Sequence, residues 1–255
     1  MVQIVETAST SLSQTVKLRA GTGNPLIIKP GPSIAGAVTA GSIVFPINVA
    51  PDGYVAVYGS NLTGSPQPQQ AGVPYPEQLA DVQVLVNGAP AQIQFISQGQ
   101  INIVYPDVSS GLTQFTVKSG AGLQTVNVLV APAVPSVFTL DETNNGPAAA
   151  ENGSVANSPV VGPGAPLHAG DIVELYVTGL GHTAVQPDGL SWAQIQPTVG
   201  VGGQNCSVTF AGLVPGYTGL GQVNCRIPAG VAGAAVPVIV TSSGRPSNAA
   251  TLNIQ

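Results

Sequence analysis

An all-β fold is predicted by three features of the sequence. Apolar and polar residues alternate with period two, turn signals recur at short intervals, and proline is too frequent for long helices. In chain order, strand-like pieces first occur at Val2 to Val5, Thr15 to Leu18 and Leu26 to Ile28. The pattern is clearer in Tyr54-Val-Ala-Val-Tyr58, Val82-Gln-Val-Leu-Val86, Gln92-Ile-Gln-Phe95 and Gln100-Ile-Asn-Ile103. These runs alternate or are solidly β-branched, as strands are when one or both faces are buried. Asp52-Gly53, Asn87-Gly88 and Ser119-Gly120 mark turns between runs. No segment sustains a 3.6-residue period, and 23 prolines among 255 residues would interrupt one.

The chain also repeats itself. Val86-Asn-Gly-Ala-Pro-Ala-Gln-Ile-Gln-Phe95 aligns with Val201-Gly-Gly-Gln-Asn-Cys-Ser-Val-Thr-Phe210, and Gln100-Ile-Asn-Ile-Val-Tyr-Pro106 with Gln222-Val-Asn-Cys-Arg-Ile-Pro228. Upstream, Val55-Ala-Val-Tyr-Gly-Ser-Asn-Leu62 aligns with Val173-Glu-Leu-Tyr-Val-Thr-Gly-Leu180. The second copy carries an insertion at Ala211 to Tyr217. Two copies of roughly 100–120 residues, each with about seven strands, have the size of immunoglobulin-like sandwiches. The expected organisation is an N-terminal extension over 1–31, a first sandwich over 32–133 and a second over 134–255. The boundary falls in Ala131-Pro-Ala-Val-Pro135, a linker short enough to hold the two end to end and semi-rigidly. Residues 1–31 contain too little apolar surface to fold alone. They read as a terminal strand plus linker, or as a segment that adds to a neighbouring sheet.

Gly53-Tyr-Val-Ala-Val-Tyr-Gly-Ser-Asn-Leu62, followed by Val-Asn-Gly-Ala-Pro-Ala and Gln-Ile-Asn-Ile-Val-Tyr-Pro, resembles the IPT/TIG branch of immunoglobulin-like domains. The pair is also similar to the uncharacterised C-terminal module (Solibacter type) of large secreted bacterial proteins. That closer likeness is carried by Pro135-Ser-Val-Phe-Thr-Leu140, Gly146-Pro-Ala-Ala-Ala150, Leu175-Tyr-Val-Thr-Gly-Leu-Gly181 and Phe210-Ala-Gly-Leu-Val-Pro-Gly-Tyr217, within about residues 32 to 255. The resemblance implies an extracellular setting, tandem sandwiches and no catalytic residues.

Composition excludes several classes of function. Charged residues are 7% of the chain against about 25% in an ordinary domain, while 44% hydrophobic residues support a buried core. Six basic residues, scattered against eleven acidic ones, cannot displace phosphate counterions, which argues against nucleic acid or an anionic membrane surface as partner. No run approaches the ~18 apolar residues of a membrane span. Met1-Val-Gln-Ile-Val-Glu6 lacks the pattern of a signal peptide, so the expectation is a piece of a longer exported protein.

In the first copy, positions 91, 93 and 95 share a face by strand alternation, as do 101, 103 and 105. Cys206 aligns with Ala91 and Cys225 with Ile103, positions that a hairpin closing around Ser97-Gln98 places almost opposite each other on the core side. A Cys206–Cys225 disulfide follows, worth roughly 3 kcal/mol by loop entropy. The alternative is two buried thiols packing as small hydrophobes. A hydrolase lacks its parts: there is no G-x-S-x-G elbow, and His168 and His182 read as loop residues. Neither nucleotide-binding glycine motifs nor zinc or EF-hand patterns occur, and no cofactor is expected. One acidic loop, Asp141, Glu142 and Asn144, has the oxygen ligands a calcium ion would use. Trp192, Tyr75 and Tyr217 sit on loops and are candidate glycan contacts. Solvent-facing strand positions carry Gln, Asn, Thr and Ser, so neighbouring molecules can pack without charge repulsion. The function this predicts is a non-enzymatic extracellular structural or adhesion module of a bacterial surface or secreted protein. Its partners would be copies of itself in a filament, assembled by N-terminal strand addition, or other surface proteins. The alternatives are a polysaccharide-binding module and an ancillary domain of a larger secreted enzyme.

Overall fold

The computed structural model describes residues 30–41 and 48–255, together with the backbone of two short strands, Val5–Thr7 and Thr15–Lys17. All of its regular elements among these residues are strands. The two short strands pair antiparallel, Val5 opposite Lys17. The strand-like pieces at residues 2–4 and 26–28 lie outside the described residues, as do the other residues of the extension before residue 30.

From Gly31 onward the chain is one unit built around two hydrophobic cores. The first lies between a five-stranded sheet and a six-stranded one. In the five-stranded sheet, Tyr54–Ser60 is flanked by Ser33–Thr39 and Gln100–Val104, and Gln92–Ile96 continues it. The facing sheet is centred on the hairpin of Gly111–Ser119 and Gly122–Val130, with Val82–Val86 beside it. The period-two pattern is realised directly: Val82, Val84 and Val86 are buried while Gln83 and Leu85 between them are half-buried. Tyr105, Phe115, Ile93 and Ile103 fill the interior.

The second core repeats the plan. Ile172–Thr178 pairs with Gly221–Arg226, which pairs with Gln204–Leu213. Gln204–Leu213 belongs to both sheets: its first residues pair with Thr198–Val201 and the rest with Gly221–Arg226. The disulfide Cys206–Cys225 closes at this crossing, with a Cα–Cα distance of 5.6 Å. Val208, not Cys206, lies directly opposite Cys225, so the bridge is diagonal. These features are those of an immunoglobulin-like sandwich pair.

A β-bulge recurs at the same place in both copies, between Ile93 and Phe95 and between Val208 and Phe210. The extra residue reverses the facing of the side chains beyond it. The expectation that 91, 93 and 95 share the core face therefore fails at Phe95, which is only half-buried, while Ile96 takes the interior place.

The two cores are joined by more than a linker. Val134 donates its N–H to the Gly179 carbonyl at 2.8 Å, and Ala131 and Ala133 are buried. Tyr54 donates its N–H to Thr178 Oγ1 at 2.7 Å, and Thr178 Oγ1 donates to the Gly219 carbonyl at 3.0 Å. Around them pack Tyr54, Tyr75, Val104, Phe138 and Leu220. Backbones approach closely here: a Cβ on Gly53 would sit 2.9 Å from Gly179 N, and Gly179 has φ +74°. Only glycine suits that conformation and that distance. The pair is held by a packed interface rather than by a short tether.

Candidate functional site

Two features gather the polar and aromatic side chains that the fold leaves available. The first is the outward face of the second sandwich's sheet. Strand alternation turns Val173, Leu175, Val223 and Cys225 inward, so Glu174, Tyr176, Gln222 and Asn224 face out. Registers place them in two cross-strand rows. Glu151, Glu174, Asn224 and Phe210 form one; Tyr176, Gln222, Gly212 and Trp192 form the other. Phe210 reaches this face because of the bulge at Thr209. Gly212 has no side chain because a Cβ there would lie 2.0 Å from the Ser191 carbonyl oxygen and 3.0 Å from Phe210 Cζ. The Thr183–Val185 and Ser191–Ala193 hairpin, joined to the sheet through Trp192 opposite Gly212, carries the indole onto the face.

The side chains are fixed by one another. Trp192 packs edge-to-face on Phe210, ring centroids 4.9 Å apart, and donates its indole N–H to Asp188 Oδ2 at 2.9 Å. Gln222 Nε2 donates to Asn224 Oδ1 at 2.8 Å. Tyr176 donates its hydroxyl to Glu151 Oε2 at 3.0 Å. Burial, that bond and the Glu151 charge push the Tyr176 phenol up to about 12. Burial, then the charge of Glu151 across the strand, raises Glu174 above the usual carboxylate range. The two carboxyl groups, paired across the strands, give the face its acidic character. Its cation, Arg226, sits at the far end with its guanidinium on the Gly170 carbonyl at 2.7 Å.

Depressions flank the indole. One of about 660 Å³ includes Gln186, Asp188, Gln194 and Gln196; another of about 380 Å³ includes Thr209, Phe210, Gln222 and Asn224. Trp192 is common to both. Leu190 and Pro215 line the second and also a cleft of about 470 Å³ between the two sandwiches, where Tyr217 faces Val73, Pro74 and Gln92. Trp192 and Tyr217 thus lie on one continuous surface. Tyr75 does not join them: it is 9% exposed, its ring edge-on to Tyr54 and its hydroxyl 2.8 Å from that of Tyr54. Expected on a loop as a candidate glycan contact, Tyr75 is instead buried, its ring claimed by the interface.

The second feature is a polar clasp across the interface. Asp52 Oδ2 accepts from Thr183 N at 3.0 Å and Thr183 Oγ1 at 3.1 Å, and His182 Nδ1 is hydrogen-bonded to Asp107 Oδ1. Among the described residues, the ligand atoms of Asp52, Asp107 and His182 lie within 4.8 Å of one another. Each already has a protein partner, which makes the group a clasp. Burial raises Asp52 above the ordinary carboxylate range, against the lowering by its Thr183 bonds; Asp107 adds to the rise and His182 opposes it. These residues are far apart in sequence, and no linear spacing marks them. His168 is a loop residue, its side chain 63% exposed and 3.6 Å from Asp171.

The acidic loop is a turn bonded to itself. Asp141 Oδ1 accepts from Thr143 N and Thr143 Oγ1, and its carboxylate folds back over Gly146, where a Cβ would be 2.0 Å from Oδ2. The Asn144 carbonyl accepts from Asn248 Nδ2 at 2.7 Å. Asp141 Oδ1 is thus taken up by Thr143, and the Asn144 carbonyl by Asn248.

No protein-family model matches the chain, and no curated protein does. Solved structures similar to it include a surface glycan-binding protein, SGBP-B, from the mixed-linkage glucan utilization locus of Bacteroides ovatus, at TM-score 0.35 and 14% identity over 95% of this chain and 49% of that one. PbSGBP-B, a surface glycan-binding protein from Prevotella bryantii, matches at TM-score 0.28 and 11% identity, over 88% of this chain and 42% of that one. The I9–I11 tandem of titin matches at TM-score 0.24 and 13% identity, over 82% and 62%. The chain spans less than half the length of the two glycan-binding proteins. These likenesses are of fold alone.

Proposed function

We propose that the chain is a non-enzymatic structural or adhesion module of a bacterial surface or secreted protein. The observation that carries this reading is the interface: two sandwiches fastened by buried hydrogen bonds, a glycine-to-glycine approach and the Asp52–Thr183 clasp. Such a block holds its loops and sheet faces at fixed spacing, which is what presentation of a binding surface needs. The disulfide fits an oxidising compartment. Both cysteines are committed to the bridge and His182 to Asp107. The sequence likeness to IPT/TIG domains and to the C-terminal module of secreted proteins agrees with this role. Self-assembly by strand addition from residues 1–31 is its more specific form.

Small-angle scattering, limited proteolysis and electron microscopy of the intact chain and of a chain beginning at Gly31 test the reading. The expected result is one rigid, protease-resistant particle from Gly31 onward. Ordered polymers formed only by the intact chain support strand addition, and monodisperse particles from both remove that arm. Scattering that requires two independently tumbling bodies overturns the proposal.

A further inference from the structure

We infer that the outward face around Trp192 binds a neutral oligosaccharide. This rests on the adhesive reading and names what is held: a rigid module that holds nothing would satisfy that reading and fail this one. Pyranose recognition needs an aromatic surface for the apolar C–H face of the ring, and fixed acceptors and donors for the hydroxyls around its edge. Trp192 supplies the first. Its orientation is set before any ligand arrives, by Phe210 beneath it and by Asp188 on its indole nitrogen. Gln222 and Asn224, bonded to each other at 2.8 Å, supply amides beside it. Preorganisation of this kind lowers the entropy cost of binding.

Charge selects the class of sugar. Glu151, Glu174 and Asp188 lie on or beside the face, while Arg226 is turned to the Gly170 carbonyl at its end. Uronic acids and sulfated glycans would meet like charge there. Extent selects length. The depressions on either side of Trp192 and the cleft at Tyr217 form a run, each of about 380–660 Å³, within the range of small-ligand sites. More than one sugar unit is accommodated. The repeat provides an internal comparison: the first copy keeps Tyr58, Gln100, Asn102 and Phe95 at the corresponding positions but has Ala56 where the second has Glu174. At the edge of that sheet the first copy pairs Gln69–Gln70 with Phe95–Ile96, where the second pairs Trp192 with Gly212, so the indole belongs to the second copy.

The test is affinity electrophoresis of the intact chain through gels containing hydroxyethylcellulose, galactomannan, arabinoxylan or soluble starch, with polygalacturonate as the anionic control. Titration of the single tryptophan's fluorescence with the matching hexasaccharide completes it. Retention by at least one neutral polysaccharide is expected, with Trp192→Ala, which leaves no tryptophan to titrate, weakening the affinity read from gel retardation at least about tenfold. The double variant Gln222→Ala/Asn224→Ala, which removes only surface amides, should weaken it as well, and decides the matter if Trp192→Ala does not fold. Tyr75→Phe should bind as the parent does. Absence of retention by all four neutral polymers, retention by polygalacturonate alone, or undiminished binding in folded face variants overturns the inference. None of these results touches the scattering and proteolysis outcomes that test the rigid module itself.

Discussion

Replacing Thr178 by valine removes one oxygen atom from the interface and keeps the shape of the side chain. The cost depends on the two bonds that oxygen makes. Thr178 is 1% exposed, and its hydroxyl accepts the Tyr54 N–H at 2.7 Å while donating to the Gly219 carbonyl at 3.0 Å. Both partners are backbone groups in buried positions with a packed apolar cluster beside them. Valine leaves a donor and an acceptor without their partner at once. Each buried orphan costs about 1–3 kcal/mol, so the expected loss is about 2–5 kcal/mol, a large share of the ~5–15 kcal/mol that holds a domain folded. No cavity term is added because the volume is conserved. Urea unfolding followed by Trp192 fluorescence and by circular dichroism measures the loss. Thr178→Ser keeps the hydroxyl and should recover most of it. A loss below about 0.5 kcal/mol for Thr178→Val, or a serine variant as unstable as the valine one, would refute the claim that this hydroxyl fastens the two sandwiches.

The other predictions concern separate parts of the molecule. Cys206→Ala/Cys225→Ala opens a loop whose ends are 19 residues apart, and loop entropy sets the loss at roughly 3 kcal/mol in thermal or urea unfolding. At Asp81, burial works against the charge, but bonds from Thr63 Oγ1, Gly64 N and Gly120 N outweigh it and hold the carboxyl below its ordinary 3.8. Its contribution is therefore present above pH 3.8 and is lost as pH falls through the lowered value. Asp81→Ala should cost about 1–2 kcal/mol at neutral pH, after discounting for exposure, and flatten that acid limb of the stability profile. Asp52 has the opposite sign. Its raised carboxyl means the folded state holds the proton more tightly than the unfolded one, so stability present below pH 3.8 declines as pH rises through the raised value. Asp52→Asn keeps an acceptor for Thr183 and should remove that decline, measured as urea midpoints across pH 3 to 7. A slope unchanged in the variant would locate the titration elsewhere.

Features legible in the sequence are local and periodic. Alternation along Val82–Val86 assigns each side chain to a face because successive Cβ atoms of a strand point opposite ways, and no distant contact is needed to know it. The repeat placed Cys206 and Cys225 near each other, since two copies of one pattern share one hairpin register. Tertiary structure decided everything that depends on chain segments far apart. The bulge before Phe210 turned that ring out of the core and under Trp192, a reversal that period-two reading cannot contain because one extra residue changes the parity. Tyr75 went into the interface because Tyr54 offered its ring a packing surface and its hydroxyl a partner. Asp52, Asp107 and His182 met only because the two sandwiches pack against each other. Composition chose a charge-poor protein and its period-two pattern chose strands; the geometry of its second sheet chose where an aromatic ring, a carboxylate and two amides stand together, since their proximity comes from strand order and register, which linear spacing does not encode.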